Sequence, residues 1–81
     1  MSNTISTMEN LIELHKLIKI EMTGTSAQLA EKMRMSKRAI QYYLNDLRLY
    51  GAVIDFNKVR NTYYYINDFN IEFTIKISVC D

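Results

Sequence analysis

From Thr25 to Gly51 the chain reads TSAQLAEKMRMSKRAIQYYLNDLRLYG, and the fold turns on this stretch. Thr25 with Gln28 three residues on is a capping-box pattern. It predicts a short helix from about Ser26 to Met33, with Leu29, Ala30 and Met33 as a small apolar face. Ser36 suits an N-cap and Gly51 a C′ position, so a further helix is expected from about Lys37 to Tyr50. At 100° per residue, Ile40, Leu44 and Leu47 fall within about 60° and form a core stripe. Arg38, Gln41, Tyr42 and Asn45 fall on the far side. Two short helices meeting at Arg34-Met35-Ser36, the second with a polar outer face, make a helix-turn-helix arrangement.

Upstream, Met8, Leu11, Leu14, Ile18 and Met22 recur at helical spacing and predict a helix from about Thr7 to Met22. Ser6 and Glu9 supply a capping box for it, and Gly24 is where a left-handed cap is cheapest. Ile12, Leu17 and Ile20 widen its apolar arc, which implies cover on more than one side. Downstream of Gly51 the period becomes alternating. Ala52, Ile54 and Phe56 make one strand, and Thr62-Tyr63-Tyr64-Tyr65-Ile66 makes a second. The polar tip Asn57-Lys58-Val59-Arg60-Asn61 joins them into a β-hairpin. After the turn at Asn67-Asp68, Phe69, Ile71, Phe73, Ile75, Ile77 and Val79 alternate with polar residues, predicting a C-terminal strand. The expected fold class is therefore α+β: a three-helix bundle, a hairpin and an additional strand. Residues 1–68 form the domain and 69–81 the appended strand.

The 81 residues carry ten Lys+Arg against nine Asp+Glu, with 48% apolar residues, no Pro, one His and one Cys. That is the composition of one small globular domain, with no room for a multidomain enzyme. No apolar run approaches the roughly 18 residues of a membrane span. The N-terminus lacks a basic segment followed by an apolar one, so no signal peptide is expected and the cytoplasm is the expected setting. One Cys, Cys80, supports neither a disulfide framework nor a Cys-based zinc site, and no cofactor or small-molecule ligand is implied. No nucleophile–base pair, phosphate loop or metal spacing points to an enzyme. The net charge of +1 conceals a segregation. Residues 32–60 hold seven basic against two acidic side chains, whereas the segments on either side are each net −2.

The quoted stretch, with Gly51-Ala52-Val53-Ile54-Asp55-Phe56 leading to Tyr63-Tyr64-Tyr65, resembles the winged helix-turn-helix domain of DeoR-like, WYL-type and biotin-repressor-type bacterial transcription regulators. The likeness covers roughly Met8 to Ile66. It implies sequence-specific binding of double-stranded DNA and transcription regulation, in a protein of bacterial or phage type. Ser36 would cap the recognition helix at a phosphate, and Lys37, Arg38, Gln41 and Tyr42 would face the major groove. Lys58, Arg60 and Asn61 would form the wing tip. The family often has Gly where this chain has Arg34, Thr where it has Ala39 and Arg where it has Tyr42. It usually carries an effector domain after the wing. A winged helix can instead serve as a protein-interaction module, which is the alternative reading.

Other features carry blander expectations. His15 reads as a part-buried, hydrogen-bonded histidine of the first helix, and Arg48 as a surface residue off the groove-facing arc. The Tyr63-Tyr64-Tyr65 run reads as mostly structural, some of it packing the hairpin onto the third helix and one ring within reach of DNA, with Tyr63 and Tyr65 on the same face. Met8, Met22, Met33 and Met35 read as core filler, and Cys80 as inert. The strand Phe69–Val79 would span about 36 Å. Left uncovered it would be an apolar edge, so pairing of two copies into a homodimer is expected through it.

Overall fold

A computed structural model describes residues 3–71, with side chains described from residue 7 onward. Three helices, α1 (Asn3–Lys19), α2 (Ser26–Lys32) and α3 (Lys37–Leu49), precede an antiparallel hairpin of β1 (Ile54–Asn57) and β2 (Thr62–Tyr65). This is a small α+β domain. The core is the one the helical stripes foretell: Leu11, Leu14 and Ile18 from α1, Leu29 and Ala30 from α2, and Ile40, Leu44 and Leu47 from α3. Ala52 and Ile54 close it from the hairpin side. Leu14, Leu44 and Leu47 have no exposed surface, so truncating any of them to Ala removes about 2–5 kcal/mol.

α1 departs from expectation at both ends. Its helical backbone begins at Asn3, so Ser6 lies inside the helix and the Ser6–Glu9 box does not start it. No Pro or Gly in Asn3–Ser6 interrupts upstream propagation. At the other end the helix stops at Lys19, and Glu21 takes the left-handed position at φ 57°. The Glu21 N–H donates to the Ile18 carbonyl and the Met22 N–H to the Leu17 carbonyl, the paired bonds of a Schellman cap. Gly24, the expected cap, is also left-handed, but it lies beside α2 instead. A Cβ there would meet Gln28 Oε1 at 2.5 Å, so Gly24 is needed for the close passage of the Gln28 side chain. Because the chain turns away at Glu21, Ile20 and Met22 face solvent rather than the core.

All three helices end in the same cap. Arg34 at φ 56° repeats it after α2, where its N–H donates to Glu31 and that of Met35 to Ala30. Gly51 at φ 112° repeats it after α3. Only the last uses glycine. Glu21 and Arg34 each carry about 1–2 kcal/mol of left-handed strain that glycine would avoid.

The hairpin forms, with Ile54 opposite Tyr65 and Asn57 opposite Thr62. Asn57 organises the tip. Its side-chain oxygen accepts from the Val59 and Arg60 N–H groups, and its carbonyl from Asn61 N–H at 2.7 Å. Asn61 sits at φ 60°, a conformation its side chain tolerates. The main support of the hairpin is α1 rather than α3, a correction to the expected packing of the tyrosines. Tyr65 reaches His15 on α1, and Phe56 and Tyr63 pack edge to face across the two strands. Thr23, in the connection after α1, joins β2 through side chains. Its hydroxyl accepts from Tyr63 N–H at 2.8 Å and lies 3.1 Å from the Thr62 hydroxyl, while its own N–H donates to that hydroxyl.

The expected C-terminal strand is not seen where it can be checked. Phe69, Asn70 and Ile71 are irregular, because Phe69 turns into the core and is held edge to face against His15. The remainder of the expected strand, with Cys80, lies outside the described residues.

Candidate nucleic-acid interface

The start of α3 follows directly from its sequence. Ser36 is extended at φ −76°, ψ 160°, and its hydroxyl accepts from Ala39 N–H at 3.0 Å. Its carbonyl accepts from Ile40 N–H. Among the described residues this leaves the Lys37 and Arg38 N–H groups as helix-start donors without a protein acceptor, suited to an anion. Lys37, Arg38, Gln41 and Tyr42 are all exposed on the first two turns, and Tyr42 retains 65% of its surface. No ion pair ties any of them down within the described residues. The turn into α3 is tight because Arg34 accepts a left-handed conformation, φ 56°.

The hairpin tip is arranged differently. Lys58 and Val59 project freely, Val59 with 95% of its surface exposed. Arg60 is ion-paired through Nη1 to Glu21 Oε1 at 2.7 Å. Asn61 Nδ2 donates to Gln28 Oε1 at 3.1 Å, the same oxygen that accepts from Thr25 N–H in the α2 capping box. The tip is thus tied to the end of α1 and the start of α2, and α2, about 10 Å long, leads through the Met33–Ser36 turn to α3. Lys32 closes the same joint by donating to the Met22 carbonyl at 2.7 Å. Glu21, Thr23 and Gln28 therefore shape the tip. Only Gln28 had a sequence signal, the capping box, and that signal concerns α2 alone.

The remaining basic residue of the segment, Arg48, is exposed and donates to Asn45 Oδ1 at 3.1 Å, as a surface residue would. His15 is 8% exposed and fully bonded. Its Nε2 lies 3.3 Å from Asn70 Oδ1, an oxygen that can only accept, so Nε2 carries the proton. Nδ1 then accepts from the Tyr65 hydroxyl at 2.7 Å. Burial lowers the His15 pKa from the ordinary histidine value, opposed by the Asn70 bond and aided by Lys19. Burial raises the Tyr65 pKa, which keeps its hydroxyl a donor. The pair is structural: it fastens β2 and the Phe69 segment to α1.

Among the described residues no group of three His, Cys, Asp or Glu side chains could hold a metal ion, and no helix is long and apolar enough to cross a membrane. No family model, curated protein or solved structure matches this chain.

Proposed function

We propose that the chain is a winged helix-turn-helix protein that binds double-stranded DNA sequence-specifically and regulates transcription. The observation that carries the reading is the free polar face of α3. Lys37, Arg38, Gln41 and Tyr42 stand exposed on the first two turns of a helix that a tight turn joins to α2. In this reading α3 enters the major groove and Arg38 and Gln41 read base edges. The Ser36-capped helix start, with the Lys37 and Arg38 N–H groups, holds a phosphate. The hairpin is the wing, and Lys58 and Arg60 grip flanking backbone. Phosphate contacts set affinity and groove contacts set sequence. Pairing of two copies would present two recognition helices to a two-fold site.

Fluorescence anisotropy against salt tests this. With about three phosphates neutralised per chain, the log–log slope is expected near −3 per chain on a mixed duplex pool. Binding that ignores salt, or no binding to any duplex, overturns the reading.

A second reading has its own observation. Leu49, at 84% exposure, and Tyr50 stand uncovered at the far end of α3, where apolar side chains suit a protein partner. The concentration of seven basic residues in 32–60 favours DNA over it.

A further inference from the structure

We propose that Glu21 is a built-in competitor for DNA at the hairpin tip: its carboxylate occupies the Arg60 guanidinium that a phosphate would otherwise take. This rests on the DNA-binding reading above. Four observations support it. The Glu21–Arg60 pair, at 2.7 Å, is the ion pair that forms among the described residues, although the segment around Arg60 is rich in cations. The two partners come from distant parts of the sequence, and they are brought together by contacts independent of their charges. Asn61 is bonded to Gln28, and Thr62 to Thr23, so the tip returns to the end of α1 whatever residue stands at 21. Glu21 stands in a left-handed position, φ 57°, where glycine fits better, so its side chain there is not explained by backbone preference. Finally, the Arg60 side chain is 63% exposed against 34% for Glu21. The contact joins Nη1 to the carboxylate at the surface, where a phosphate can compete for the guanidinium.

Ion pairs this exposed are weak and screened by salt, so a duplex can displace the carboxylate. Displacement breaks the pair, and that cost opposes binding. Glu21 thereby lowers the grip of the tip on every sequence equally and leaves base reading to α3. Its chemistry is that of a phosphate mimic supplied by the chain itself.

The test is Glu21→Gln, which removes the charge and keeps the side-chain size. Anisotropy against a mixed duplex pool is expected to show about three- to tenfold tighter binding, unchanged in sequence preference, with the salt slope steeper by about 1 per chain. In an Arg60→Ala background the same change is expected to gain nothing, because the masked group is gone. Glu21→Gly provides a second variant that the backbone favours, and it is expected to show the same gain with a raised Tm. Unchanged or weaker binding by both variants overturns the proposal. A gain that persists with Arg60→Ala also overturns it, since it then reflects net charge alone. If the wild-type chain and both variants fail to bind duplex DNA at all, the DNA reading itself falls and this proposal falls with it. Normal salt-sensitive binding by the wild type without a gain in the variants removes the masking role alone.

Discussion

The first two turns of α3 and the tip of the hairpin hold the same kinds of residue, cations beside amides, under opposite constraints. On α3, Lys37, Arg38 and Gln41 project from a helix whose other face is anchored by Ile40 and Leu44. Nothing described restrains their ends. At the tip, Arg60 is paired to Glu21 and Asn61 to Gln28, leaving Lys58 as the cation without a described partner. A rigid element with free side chains is suited to reading sequence. A tip whose polar groups are already bonded is suited to a weaker, uniform contact with the backbone.

The comparison can be broken most sharply at Thr23. Thr23→Val removes the acceptor for Tyr63 N–H and is expected to destabilise the fold by about 2 kcal/mol, read as a lower urea midpoint. Amide exchange should quicken in β2 more than in α3. Equal loss of protection in both would mean that the hairpin is not separately held. Arg38→Ala comes next. It is expected to lose about 1–3 kcal/mol on a preferred duplex and to relax the preference at one base position. Lys58→Ala should instead weaken all duplexes alike and reduce the salt slope by about 1. Identical behaviour of the two variants would erase the division of labour.

Arg34→Gly sharpens the same picture from the scaffold side. It relieves the left-handed strain in the turn before α3 and is expected to stabilise by about 1 kcal/mol, measured as a higher urea midpoint. The smallest effect concerns His15. Burial lowers its pKa, so below the ordinary value near 6.5 the unfolded chain takes up the proton more readily than the fold. Its contribution is expected to be full above about pH 6.5, to decline as pH falls and then to level off once the folded histidine also titrates. Chemical denaturation from about pH 7.5 to about pH 5.5, compared with His15→Gln, checks the sign.

Much of the scaffold was legible because it depends on short-range chemistry. The Thr25–Gln28 box, the Ser36 N-cap, Gly51 and the Ile40–Leu44–Leu47 stripe all stand where their spacing put them. His15 is buried and bonded as its place among apolar residues implied. The errors fall where a local rule had competitors. Local preference alone puts the cap of α1 at Gly24, its most permissive residue, whereas the chain terminates it at Glu21. Met22, counted with the core by its spacing, is 62% exposed because that cap turns the chain before it. The alternation starting at Phe69 predicts a strand; over its described part, Phe69–Ile71, the backbone is irregular and Phe69 packs against His15 and Tyr65.

For the candidate site, sequence alone determined which residues stand on α3 and at the tip, because helical period and hairpin alternation are properties of consecutive residues. Tertiary structure alone decided which of them are free. Arg60 meets Glu21 across 39 positions, and Asn61 meets Gln28 across 33. Such partners are chosen by how α1, α2 and the hairpin pack, and no period in the sequence encodes that choice.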